Sequence, residues 1–273
     1  MAELVFLKLG GSLITDKNRE STAREEVIHR AAREVRQALD ARPELRLVLG
    51  HGSGSFGHFV GRRYGTRQGI RDETSWRGYA ETGAAAACLN RLVTDAFLAA
   101  DVPVLTVQPS ASARCRDGEL LSLDVHPINV ALAHGLVPLV YGDVALDEVR
   151  GCTIISTEQI FVWLAGQLHP QRVILSGVVN GVFDRDPLQD TAALRIPEIT
   201  PTTFPQIESL LTGSHGVDVT GGMLSKVREM LALIERQPDL EVHLITGQEP
   251  GRIAQALLHQ GSMSGTVLHA GRR

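Results

Sequence analysis

The 273 residues are 43% hydrophobic and 21% charged, an ordinary composition for a globular chain that can bury a sizeable core. A net charge of −4 offers no general attraction for polyanions, which argues against nucleic acid as a partner. No run approaches the ~20 apolar residues of a membrane span, so no membrane partner is expected.

The N-terminus lacks the features of a signal peptide. Cys88, Cys115 and Cys152 are odd in number and scattered, which fits reduced cysteines in a cytoplasmic protein better than a disulfide frame or a metal site.

Leu4 to Leu9 is an apolar run that reads as a buried strand, and it ends in Gly10-Gly11-Ser12. Lys8 stands inside the run, where an unpaired ammonium would be costly to bury. A lysine at a strand end beside glycines that bare their N–H groups is well placed to hold a phosphate. Ala23 to Ala41 has helical spacing, and Leu45 to Leu49 makes a second strand. His51-Gly-Ser-Gly-Ser-Phe-Gly-His58 is a second glycine loop.

Residues 61 to 78 are polar and read as a mobile surface segment. Tyr79 to Ala100 follows as a strong helix. Val102 to Val107 is a strand, and Leu120 to Asp124 belongs to a small hairpin. A helix near Ile128 to His134 leads to the strand Leu136 to Tyr141 and to Gly142-Asp143.

The second half continues the alternation. Glu158 to Leu168 is helical and Arg172 to Leu175 is a strand. Gly181 to Pro187 is a turn-rich loop, and Ile196 to Gly213 is irregular at first. Thr220-Gly221-Gly222 starts a helix running to about Arg236. Val242 to Thr246 (strand), Gly251 to Gln260 (helix) and Gly265 to His269 (strand) complete the chain. Such alternation predicts an α/β fold with a mainly parallel sheet covered by helices on both faces. A soft boundary falls near Ser176 to Pro187.

Gly52, Gly54 and Gly57 match G-x-G-x-x-G after a strand, which raises a dinucleotide fold. Three points oppose it. The match lies in the second βα unit, and the first has its own glycine loop with a lysine. Asp72 and Glu73, at the distance of a ribose-binding acid, lie in a polar loop. His58 adds a proton donor that a pyrophosphate loop does not need. No G-x-x-x-x-G-K-[ST] occurs, so a P-loop is excluded.

The Lys8 loop, the loop before His58 and the helix start before Lys226 remain as three anion-binding pieces. Phosphoryl transfer is catalysed mainly by such positioned charges and N–H groups, which makes a kinase a plausible reading.

LKLGGSLITDK, HGSGSFGH, GVFDRDP and DVTGGMLSK occur in the order seen in the amino acid kinase superfamily, which the chain resembles from Leu4 to about Thr266. Within it, Gly-Ser-Phe-Gly-His58 with Ile14-Thr15-Asp16-Lys17 resembles the isopentenyl phosphate kinases, with the fosfomycin-resistance kinases as nearest rivals. The resemblance implies a three-layer αβα sandwich in a single domain over 1–273. Its acceptor-binding lobe would be about 1–175 and its nucleotide-binding lobe about 176–273. It implies ATP and Mg²⁺ as cofactors, isopentenyl phosphate as acceptor and a homodimer. A non-catalytic nucleotide or oxyanion binder is the reading from another class, and it would not need three lysines.

Carried over by position, Lys8, Gly10, Gly11 and Ser12 would hold the ATP phosphates, and Lys17 would stabilise the phosphoryl group in flight. Ser53 and Gly54 would offer N–H groups between acceptor and donor, and His58 would bind the acceptor phosphate. Phe183, Asp184 and Pro187 would sit by the nucleoside, while Gly222 and Lys226 would meet the β and γ phosphates. Thr157 and Glu158 would stand on the substrate side, Glu158 orienting the lysines. Two stretches depart from the pattern. Ser156-Thr157-Glu158 replaces a usual Ser-Gly-Asp, and Gly177-Val178-Val179-Asn180-Gly181 replaces a usual Thr-Asp-Val-Asp-Gly.

Overall fold

The computed structural model describes residues 2–213, 223–260 and 265–271. Gly222, expected at the phosphates, and the rest of the Thr220-Gly221-Gly222 helix start lie outside the described residues.

In chain order the first strands are β1 (Leu4–Leu9), β2 (Arg46–His51), β3 (Val104–Thr106), β4 (Arg114–Arg116) and β5 (Glu119–Ser122). Then come β6 (Val137–Tyr141), β7 (Asp143–Asp147), β8 (Gly151–Ile155) and β9 (Arg172–Gly177). The last are β10 (Val182–Phe183), β11 (Arg195–Ile196), β12 (Glu198–Ile199), β13 (Glu241–Thr246) and β14 (Thr266–Leu268). The helices are α1 (Gly11–Ile14), α2 (Glu25–Ala41), α3 (Gly54–Tyr64), α4 (Glu73–Leu98), α5 (His126–Ala133), α6 (Thr157–Leu168), α7 (Phe204–Gly213), α8 (Met223–Arg236) and α9 (Arg252–Leu258).

An eight-stranded sheet runs β12-β14-β13-β9-β1-β2-β6-β3. It is parallel throughout except where β13 meets β14. β1 sits near the middle and is buried at every residue. Its side chains alternate between faces. Phe6 enters a core with Val140, Phe161, Leu164 and Met230 under α5, α6 and α8. Val5, Leu7 and Leu9 enter another with Ile28, Val35, Val93 and Leu257 under α2, α4 and α9. Three layers result, as the alternation of strands and helices required. The same period of two puts Lys8 on the α6 side with Phe6.

Parallel pairing brings the C-terminal ends of β1, β2, β6, β9 and β13 to one edge, where ligands bind in open α/β sheets. The loops at residues 10–12, 52–54, 177–181 and 247–250 all leave the sheet there.

The structure departs from or adds to the sequence reading at three places. Residues 61–78 are not a loose segment. α3 runs to Tyr64, α4 begins at Glu73 behind an Asp72–Ser75 capping box, and the stretch between is tied to β8. The ties are Ile70 N–H to Arg150 O at 2.8 Å and Thr153 Oγ1 to Arg67 O at 3.3 Å. Sequence reading also passed over β7 and β8, an antiparallel pair in a four-stranded sheet of order β5-β4-β7-β8. The 196–213 stretch, read as irregular at first, carries β12 and α7.

Candidate active site

Lys8 is only 6% exposed, so its ammonium requires a partner. It finds one in Glu158, whose Oε1 lies 3.1 Å from Nζ. Glu158 stands in the first turn of α6, which Ser156 caps reciprocally with Gln159, and a helix N-terminus favours a carboxylate. Lys226, in the first turn of α8, reaches the same oxygen at 3.7 Å. Burial alone would raise the Glu158 pKa, but the charges of Lys8 and Lys226 and the hydrogen bond from Lys8 override it and hold the group at about 2. It is therefore a fixed anion with a lysine on either side. The extra methylene relative to aspartate is accommodated, since both lysines are reached.

Thr157 was expected on the substrate side. Its side chain is instead turned inward: it is buried and its hydroxyl donates to His51 O at 2.6 Å. That bond locks the start of α6 to the end of β2.

The two glycine loops touch. A Cβ on Gly11 would lie 2.7 Å from Gly54 N, and one on Gly52 would lie 2.9 Å from Gly11 N. Neither position can carry a side chain without moving backbone. Gly54 has φ +50°, a conformation glycine adopts freely. Gly10 departs from expectation in detail. Its N–H donates to Ser176 O at 2.8 Å, so it braces the loop against β9 and has no N–H left for a phosphate. Gly11 and Ser12 head α1, where N–H groups lack helical acceptors. Ser53 and Gly54 occupy the same place on α3.

Lys17 is exposed, in a loop closed by the antiparallel bridge between Thr15 and Ala23. His58 lies on the solvent-accessible side of α3. Its pKa is lowered by the protein packed around it and by the positive charges of Lys17, Arg67, Lys8 and Arg62. The imidazole is thus neutral in a strongly positive field, ready to donate a hydrogen bond to an anion.

On the other side of β1, Phe183 lies in the β10–β11 hairpin. Asp184 accepts Leu194 N–H at 2.8 Å and pairs with Arg185 at 3.1 Å, and Pro187 is half-buried nearby. Asn180 accepts Thr246 N–H at 3.2 Å, and Thr246 Oγ1 donates to Val178 O at 3.1 Å, so the departing loop is still fastened to β13. A side chain at Gly177 would meet nothing within 4 Å. The site is open where the usual pattern has threonine.

Sequence reading missed three groups. Thr15 is fully buried between the glycine loops, in the middle of the quoted GGSLITDK motif. Arg67, whose charge acts on His58, came from a stretch read as loose. Glu229 follows Lys226 by one helical turn, and its carboxyl is pushed up to about 7 by burial and by the acids Glu158 and Glu119. Only Thr15 carried a signal, its place in that motif.

Glycine loops at the strand ends, two lysines shared by one carboxylate and a neutral histidine among cations make a site for phosphoryl groups. The chain belongs to the amino acid kinase family, whose model matches residues 3–245. It is 37% identical over 262 residues to the isopentenyl phosphate kinase of Methanothermobacter thermautotrophicus, covering 93% of this chain and 95% of that one. It is 38% identical to the isopentenyl phosphate kinase of Haloferax volcanii, with 92% and 98% covered. A crystal structure of isopentenyl phosphate kinase superposes with a TM-score of 0.83 at 33% identity, covering 97% of this chain and all of the other.

Proposed function

We propose that this chain transfers the terminal phosphoryl group of ATP to the phosphate of isopentenyl phosphate, giving isopentenyl diphosphate. The observation that carries the reading is Glu158 gathering Lys8 and Lys226 at the glycine loops, with Lys17 and His58 beyond. The relatives named above support it.

Transferring a phosphoryl group spreads negative charge over its oxygens, and fixed cations stabilise that charge without reorganising. In this reading Lys8 and Lys226 hold the donor phosphates, with Glu158 fixing both ammoniums. Lys17 meets charge as the group moves, and His58 donates to the acceptor phosphate. The acceptor's oxygen is already anionic near neutral pH, a phosphate monoester having its second pKa at about 6. A strong general base is therefore not needed.

Among the described residues no three His, Cys, Asp or Glu side chains gather to hold a metal. The cationic donor set fits Mg²⁺ only if the ion is carried mostly by the nucleotide phosphates, which is its habit. When bound, Mg²⁺ would supply further neutralisation of phosphoryl oxygens.

The reading includes a homodimer working in the cytoplasm; light scattering tests the first, and the three unpaired cysteines are in keeping with the second. A coupled ADP-release assay with ATP, Mg²⁺ and a panel of isopentenyl phosphate, fosfomycin and small carboxylates tests the whole. Turnover should depend on isopentenyl phosphate, and turnover on another acceptor alone would overturn it.

A further inference from the structure

Thr15 joins the two glycine loops by its side chain. It is fully buried. Its hydroxyl donates to Gly11 O at 2.7 Å and accepts the Ser55 backbone N–H at 3.0 Å. Gly11 heads α1, and Ser55 stands in the first turn of α3, one turn before His58. The contact is tight, because a Cβ on Gly54 would fall 2.3 Å from Thr15 Oγ1 and 2.6 Å from its methyl. The loop carrying Lys17 is fastened to the same serine. Ser21 N–H donates to Ser55 O at 3.4 Å and Thr22 N–H donates to Ser55 Oγ at 3.3 Å.

We propose that Thr15 is a positioning residue for phosphoryl transfer. Its hydroxyl sets the spacing between the loop that holds the donor phosphates and the helix start that faces the acceptor, and it fixes the base of the Lys17 loop. This rests on the function proposed above. One hydroxyl is suited to the task because it gives and takes a hydrogen bond at the same point. Valine has the same shape but leaves the Ser55 N–H without an acceptor. Thr15 is enclosed by protein, so its loss should act on the transfer step more than on nucleotide binding.

The test is steady-state kinetics of wild type, Thr15→Val and Thr15→Ser with ATP and isopentenyl phosphate, beside calorimetric ADP binding and thermal melting. A misplacement of about 1 Å can cost on the order of 100-fold in rate, and a drop of that order in kcat is expected for Thr15→Val below its melting range. ADP affinity and the KM for ATP should stay near wild type, and Thr15→Ser should restore most of the rate. Wild-type turnover by Thr15→Val, equal slowness of Thr15→Ser, or ADP affinity falling in step with kcat would each overturn the proposal. Should the valine variant not fold, Thr15→Ala read against Thr15→Ser makes the same comparison of hydroxyl absent and present. A wild-type enzyme inert toward isopentenyl phosphate counts against the proposed function instead, and the variants are then read on whichever acceptor the panel reveals.

Discussion

The Glu158 carboxylate lies 3.1 Å from the Lys8 ammonium, joining the first strand of the sheet to the helix that covers it. Neither group could be so deeply buried alone, and breaking a buried pair by removing one partner typically costs ~3–5 kcal/mol. The pair also serves the site, because Lys226 shares the same oxygen.

Replacing Glu158 by Gln leaves a polar group of the same size but removes the charge that holds the two ammoniums together. Glu158→Gln should therefore fold with reduced stability, retain ATP binding and turn over at least about tenfold more slowly through misplaced lysines. Stopped-assay kcat and nucleotide titration separate these effects. Unchanged kcat would reduce Glu158 to a helix-terminus acid, which the macrodipole alone explains.

Lys17 differs from Lys8 in being exposed, as expected of a group that meets charge only during the reaction. Lys17→Ala should lower kcat far more than it raises the KM for ATP. Loss of one transition-state contact typically costs ~2.7–4 kcal/mol, or about 10²–10³ in rate. Varying ATP at saturating acceptor checks this, and a weakened KM with normal kcat would assign Lys17 to ground-state binding.

The main sheet and its covering helices were legible because β1, β6, β9 and β13 are apolar runs and α2 and α8 carry a helical stripe. β7 and β8 were not, since Asp143, Asp147 and Thr153 interrupt the pattern with buried polar groups. Those groups are satisfied only in three dimensions: Asp147, for one, accepts N–H groups from Asp117, Gly118, Val149 and Arg150. The lysines and glycine loops were legible from motifs. What motifs could not tell is direction, so Thr157 facing inward and Gly10 bracing β9 emerged from geometry alone.

His51 leads to a prediction about stability and pH. It is fully buried, stacks on Tyr141 with ring centroids 5.5 Å apart, and burial lowers its pKa to about 4 despite hydrogen-bond partners at Gly52 and Asn90. The unfolded chain, near 6.5, binds more protons between those values. Stability should therefore fall as the pH drops from about 6.5 to about 4, by up to roughly 3 kcal/mol from this group, and level off below. His243, also lowered to about 4 chiefly by burial, adds in the same window. Urea midpoints across that range, compared with His51→Gln, check the slope. An unchanged slope in the variant would remove His51 as a cause.

His58 supplies the sharpest test of the acceptor. It lies one turn past Ser55 on α3 and is kept neutral by its surroundings and by the cations Lys17, Arg67, Lys8 and Arg62. A dianionic phosphate placed there would reverse the local field, so the ring would donate to it and its pKa would rise on binding. A hydrogen bond to a charged group is worth ~1.5–3 kcal/mol, and His58→Ala should lower kcat/KM for isopentenyl phosphate about 10- to 100-fold or more. The affinity for ATP should change little, because Lys8 and Lys226 hold the nucleotide phosphates in this reading. His58→Gln and His58→Asn, which keep a donor, should recover part of the loss. The distinction is made by varying each substrate in turn at saturation of the other. If His58→Ala used isopentenyl phosphate normally while Lys17→Ala did not, the transfer site would stand and the acceptor would have to be sought elsewhere.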